Sequence, residues 1–186
     1  VQFVDEIVKI CPVYYVTGNH EYWLEKSEYD ELMDGLIGAG VVILDDQVVE
    51  ISRGDAKFRL VGLDDKSLAD GTLEAFLNNT HNVVHEDSDE REFTVVLAHE
   101  PQYFARYAGT GVDLVLSGHA HGGQFRLPFV GGIVAPDQGF LPEYTAGEYY
   151  MNGAEMIVSR GLGNSVIPVR LFNFPEIVCV ELVGKH

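Results

Sequence analysis

Four histidines and one asparagine stand where an apolar run gives way to a polar cluster. Asn19 and His20 follow the apolar residues 12–17, His99 closes the run 93–99, and His119 and His121 follow 112–116. Imidazole nitrogen and amide carbonyl oxygen are both good ligands for Zn, Mn or Fe. His119 and His121 are two apart, so in an extended segment they point the same way, and in a turn both can face one pocket. Gly118, Gly122 and Gly123 around them let the backbone approach closely. A single histidine at a strand end is most simply structural. Three separate clusters of this kind point instead to one shared metal site. His81, His85 and His186 lie in polar or terminal segments and read as surface residues.

The elements that must hold these residues can be read from periodicity. Phe3, Val4, Ile7 and Val8 recur at helical spacing, and Cys11-Pro12 ends that helix. Residues 12–17 (PVYYVT) then read as a buried strand. A second helix runs from Ser27 to Gly38, with Ser27 as N-cap and Asp30 three residues on. Gly38 and Gly40 end it. Residues 41–51 and 58–63 read as strands around the turn Arg53-Gly54-Asp55. Residues 72–79 form a short helix, and the charged run 86–92 a solvated loop. Residues 93–99 and 112–116 are buried strands, with a helix at 102–108 between them. The remainder, including 176–182 (EIVCVEL), is turn-rich and β-like. Strand–helix alternation followed by a β tail predicts an α/β fold of two packed mixed β-sheets flanked by helices. The polar clusters fall at strand carboxyl ends, where open α/β sheets bind ligands. There is no repeat or linker, so residues 1–186 read as a single domain.

Bulk composition narrows the function. The net charge is −17, the opposite of the basic footprint that nucleic-acid binding needs, so no nucleic-acid partner is expected. A phosphorylated substrate remains compatible, because bound divalent cations reverse the local potential. The two cysteines, Cys11 and Cys179, sit in apolar stretches and are expected to be buried and unbridged.

GNHE at 18–21, AHEP at 98–101 and GHAHGGQ at 118–124 resemble, in order and approximate separation, the calcineurin-like metallophosphoesterases. The tail is similar to a bacterial, cell-envelope-type branch of that family. The elements that match are Arg126-Leu127-Pro128-Phe129, then Ala135 to Phe140 (APDQGF), Tyr144 to Gly147, and Ser159 to Ser165 (SRGLGNS). The resemblance implies a centre for two divalent ions (Mn, Fe or Zn). Asn19, His99 and His119 would ligate one ion and His121 the other. His20 would stay off the metals and protonate the leaving oxygen. Glu21 either orients His20 or caps the turn that follows, and Arg126 and Arg160 are either phosphate contacts or surface residues.

The family pattern also has an Asp-x-His and a Gly-Asp ahead of GNHE. No Asp-x-His occurs in this chain, and Gly54-Asp55 comes after GNHE. The expectation is therefore a domain lacking its first two strand–helix units, with little activity of its own. The implied function is metal-dependent hydrolysis of phosphate esters, phosphodiesters before monoesters, by a metal-activated hydroxide. The substrate would be a small-molecule or lipid phosphoester, such as a lipid-linked or sugar-nucleotide phosphodiester. The branch implies the cell envelope or the cytoplasmic face of the membrane, held by a segment upstream of Val1, with the cytoplasm as the alternative. A catalytically inactive protein of the same fold, serving as a binding scaffold, is the competing reading.

Overall fold

The computed structural model describes residues 2–68, 72–81, 91–164 and 168–184. The chain opens with α1 (Gln2–Ile7) and enters the short strand β1 (Tyr14–Tyr15). Helix α2 (Lys26–Ala39) follows, then β2 (Val42–Ile43), which pairs with β1 in parallel. The hairpin β3 (Gln47–Arg53) and β4 (Ala56–Gly62) comes next, turning on Gly54 as predicted. Helix α3 (Thr72–His81) leads to β5 (Thr94–Leu97), and α4 (Phe104–Ala108) leads to β6 (Leu114–Ser117). Two small antiparallel ribbons follow: β7 (Arg126–Leu127) with β8 (Gly131–Gly132), and β9 (Val134–Ala135) with β10 (Gly139–Phe140). The hairpin β11 (Gly147–Met151) and β12 (Ala154–Val158) completes the regular structure.

A six-stranded mixed sheet organises the molecule, in the order β11-β12-β6-β5-β4-β3. Its centre, β4, β5, β6 and β12, is parallel, and the outer strands β3 and β11 run antiparallel to their neighbours. The central strands are apolar on both faces because both faces are covered, as parallel sheets require. Val61, Val96, Val115 and Met156 are aligned across one face and pack on Leu73 and Leu77 of α3 and Phe104 and Tyr107 of α4. Leu60, Val95 and Leu114 line the other face and meet Leu44, Tyr14 and Val16. The β1–β2 pair is thus a second, smaller sheet laid against the first, with α1 and α2 in mutual contact nearby. Each fully buried aliphatic side chain contributes about 1.5–3 kcal/mol, so this double-sided core is the main stabilising term. No described helix is long and apolar enough to cross a membrane.

Several expectations are corrected. Helix α2 is capped by Glu25, which exchanges side-chain and backbone hydrogen bonds with Glu28, and not by Ser27. The carboxylates sit at the positive end of the helix dipole, where a second acidic group adds more than a hydroxyl. Residues 12–17 contribute only a two-residue ladder, and β2 is the one strand neighbour of β1 among the described residues. Residues 41–51 form two strands, broken where Asp46 takes a left-handed φ of 46°. Residues 176–182 form no strand: the sheet ends at β11 and β3, and the tail pairs with neither. Cys11 and Cys179 are free but exposed, one in the turn after α1 and the other in that unpaired tail. The loop 86–92 is described only at Arg91 and Glu92, and His85, His186 and the side chain of His81 lie outside the described residues.

Candidate metal centre

Every candidate ligand sits just past a strand's carboxyl end. Asn19 follows β1, His99 follows β5, and His119 and His121 follow β6. Because β5 and β6 are adjacent and parallel, His99 and His119 emerge side by side. Asn19 arrives from the smaller sheet. His99 Nε2 lies 3.1 Å from Asn19 Oδ1 and 3.1 Å from His119 Nδ1. Gly18 makes the approach possible, since a Cβ there would stand 2.8 Å from three atoms of the His99 ring. Glu21 Oε2 accepts from the Gly18 amide at 2.7 Å, so this carboxylate braces the turn that carries Asn19. Glu21 therefore braces the turn before it, which is neither of the two roles the sequence suggested, orienting His20 or capping the turn that follows.

The loop after β6 is bent by unusual backbone angles. His119, His121 and Gln124 have left-handed φ values of 58°, 45° and 51°. Each such non-glycine residue costs about 1–3 kcal/mol and persists only where its surroundings over-determine it. Here they do. The Asn173 amide donates to the carbonyls of His121 (2.7 Å) and Gln124 (3.2 Å), and Arg126 donates to the Gly122 carbonyl at 2.8 Å. The backbone of Gly123 lies so close to Gly132 that a Cβ would come within 2.4 Å of it.

The electrostatics divide into two zones. Burial, with neighbouring histidines adding to it, pushes His99 down to about 3. His119 is also lowered by burial, against the opposing pull of Asp137, and His121 is lowered by burial and by Arg170. Three neutral imidazoles therefore present lone pairs at neutral pH without first losing a proton. Opposite them stand carboxyl groups that burial and mutual repulsion hold up, Glu100 to about 7 and Asp65 to about 6. Glu100, His119 and Asp137 bring ligand atoms within 4.8 Å of one another. Asp137 Oδ2 is 2.9 Å from His119 Nε2.

The donor set fits a divalent transition metal. Ligands about 2.0–2.1 Å from a tetrahedral ion lie roughly 3.3–3.4 Å apart. The contacts of 3.1 Å among Asn19 Oδ1, His99 Nε2 and His119 Nδ1 are close to that spacing. His20 is exposed on the rim, stacked on Trp23 (centroids 4.4 Å apart) and 6.2 Å from the His121 ring. The structure brings all five sequence-predicted residues to one edge of the sheet. Arg126 and Arg160 are engaged by protein groups, Arg160 through an ion pair with Glu176 at 3.2 Å. Sequence reasoning missed Asp137, Glu100, Asp65, Asn173 and Trp23 as neighbours of the site. Asp137 and Glu100 lie inside motifs already singled out, but nothing local gives their contacts.

Comparison with known proteins gives the chain a family. The family model described as calcineurin-like phosphoesterase matches residues 1–123. The chain is 32% identical to the uncharacterized metallophosphoesterase YkuE of Bacillus subtilis, over 96% of the chain and 57% of that protein. It is 35% identical to an uncharacterized metallophosphoesterase of Aquifex aeolicus, over 91% of the chain and 60% of the relative. It is 29% identical to the phosphodiesterase YaeI of Escherichia coli, over 95% of the chain and 60% of the relative. The chain thus spans about three fifths of the length of these curated relatives. No solved structure matches it significantly.

Proposed function

The chain belongs to the calcineurin-like phosphoesterase family, and on that premise we propose that it carries metal-binding and proton-donating parts of a hydrolase that cleaves phosphate esters, phosphodiesters foremost. The observation that carries this reading is the convergence of Asn19 Oδ1, His99 Nε2 and His119 Nδ1 at 3.1 Å contacts, with His20 on the rim beside His121. The relative named as a phosphodiesterase supports the diester preference.

Asn19, His99 and His119 would hold one divalent ion, and His121 would contribute to a second. Bound there, such ions supply Lewis acidity toward phosphoryl oxygens and lower the pKa of water. The chain's own groups do the rest. Burial keeps the three imidazoles neutral and available as ligands. Gly18 and the left-handed His119–Gln124 turn fix where they point. As the oxygen of a water that has released a proton to solvent bonds to phosphorus and the ester bond breaks, His20 would give its proton to the leaving oxygen. Trp23 covers one face of the His20 ring and holds it at the rim. The 186 residues contain no Asp-x-His, and of the sequence-predicted ligands only His121 is left for the second ion, so weak turnover is expected from these residues alone. By the branch resemblance, the substrate is a small-molecule or lipid-linked phosphodiester met at the bacterial envelope or the cytoplasmic face of the membrane.

The test is a metal screen of the full-length protein on phosphodiesters with a good (p-nitrophenolate) and a poor (alkoxide) leaving group. His119→Ala is expected to abolish metal-dependent turnover. His20→Ala is expected to lose roughly 10²–10⁴-fold on the poor leaving group and less on the good one. Full alkoxide release by His20→Ala would remove His20 as the acid, and turnover indifferent to chelators would remove the metal centre.

A further inference from the structure

His119 is the most enclosed of the candidate ligands: its side chain is 1% exposed, whereas its partner Asp137 is 61% exposed. Its two nitrogens face different chemistry. Nδ1 looks toward His99 Nε2 and the Asn19–His99 pair, and Nε2 looks toward the Asp137 carboxylate at 2.9 Å. A neutral imidazole has one nitrogen that carries hydrogen and one that carries a lone pair, and only the latter can take a metal. What the outer nitrogen bonds to decides which is which.

We propose that Asp137 is the positioning residue of the metal centre: its carboxylate accepts the Nε2–H of His119, fixing the tautomer that turns the Nδ1 lone pair toward Asn19 and His99. This rests on the reading of those three residues as the ligands of one ion.

The fold prepares Asp137 for that task. It occupies the turn between β9 and β10 with a left-handed φ of 54°, a conformation aspartate tolerates better than most residues. The turn is fastened on both sides. Ala135 before it is buried at 3% exposure. Gln138 after it clamps the backbone of Tyr144, donating to its carbonyl and accepting from its amide, each at 2.8 Å. Tyr144 is buried and packs edge-on against Phe104 and Tyr149. A short carboxylate on a turn held this way has little freedom to leave His119. The ring it meets is itself held by a left-handed backbone, at a φ of 58°.

A rival arrangement uses the same atoms. Glu100, His119 Nε2 and Asp137 could hold a cation directly. That would require the opposite tautomer, with hydrogen on the Nδ1 that faces His99 Nε2 at 3.1 Å, and would take that lone pair away from the Asn19–His99 pair.

The tautomer can be read directly. Long-range ¹H–¹⁵N correlation spectra of the metal-free protein report which nitrogen of His119 carries hydrogen, with His119→Ala giving the assignment. The wild type is expected to show Nε2–H, and Asp137→Ala a mixture with Nδ1–H. Zinc affinity, measured by chelator competition, is expected to fall about 10–100-fold in Asp137→Ala. The loss should be smaller in Asp137→Asn, which keeps an acceptor of the same shape. Should Asp137→Ala disturb folding, Asp137→Asn carries both measurements. An Nδ1–H tautomer in the wild type, or unchanged zinc affinity and tautomer in Asp137→Ala, overturns the proposal. Zinc affinity unchanged in His119→Ala would instead overturn the reading of the centre itself. If His119→Ala loses zinc while Asp137→Ala keeps it, the centre stands and the positioning role falls.

Discussion

The site works residue by residue because burial has opposite consequences for bases and acids. Desolvation disfavours the charged form of each. It keeps His99, His119 and His121 neutral while it holds Glu100 at about 7 and Asp65 at about 6. The sign of the stability effect follows. Glu100 is raised from its ordinary 4.5, so the native state keeps its proton between pH 4.5 and about 7 while the unfolded chain loses it. The stabilising contribution is complete below pH 4.5 and is lost as pH rises toward 7. The buried histidines act the other way, since the native state refuses protons that the unfolded chain accepts below its ordinary 6.5. The difference between wild type and Glu100→Gln isolates the carboxyl. In chelator-treated protein, the stability of Glu100→Gln relative to wild type is expected to rise from pH 4.5 to 7. Urea denaturation at stepped pH measures it, and a flat difference would show that Glu100 ionises normally. Glu100 was visible in the sequence as part of AHEP, but its elevated state was not, because burial in the folded chain creates it, with Asp65 and Asp137, 35 and 37 residues away, adding to it.

At the scale of elements, the helix α4 does more than cover the sheet. Phe104 at its start is fully buried and meets Tyr144 edge-on at 6.0 Å, and Tyr144 is the anchor of the β9–β10 turn. Core and metal centre are therefore joined through two aromatic rings. Phe104→Ala is expected to cost about 3–5 kcal/mol, the range for emptying a buried aromatic site. Hydrogen exchange at the backbone amides of 134–140 should speed up more than exchange in β3, which lies at the far edge of the sheet. A loss below about 1 kcal/mol, or equal acceleration in both places, would show that the hairpin holds without Phe104. The helices and the central strands were legible in advance because hydrophobic periodicity is a local property. The Glu25 cap was not, since Ser27 offered an equally good local signal and only the observed start of the helix at Lys26 decides between them.

The whole molecule carries an unbalanced surface. Phe3 of α1 (57% exposed) lies beside the tail, where Phe174, Ile177 and Val183 are 78%, 76% and 75% exposed. An apolar cleft of about 460 Å³ runs between α1 and this tail, lined by Phe3, Ile7, Leu162, Ile177 and Val178. Exposed apolar patches of this kind mark contact surfaces or association liabilities. The net charge of −17 opposes association by repulsion, and salt screens repulsion over about 10 Å at 0.1 M. These 186 residues in isolation are therefore expected to self-associate, more strongly at high than at low ionic strength. Light scattering across a salt series measures it, and a monomer at all salt concentrations would show that the cleft is inert. The sequence by itself determined the family, the helices, the central strands and the five residues that follow strands at their carboxyl ends. It could do so because an apolar run breaking into Asn-His, His-Glu-Pro or His-Ala-His is a pattern within a few neighbouring positions. Only the tertiary structure decided that Asp137 serves His119, that Asn173 holds the His121 loop, and that residues 176–182 stay out of the sheet. The first two depend on contacts between residues far apart in sequence, and the third on where the rest of the chain leaves the tail, so packing alone settles them.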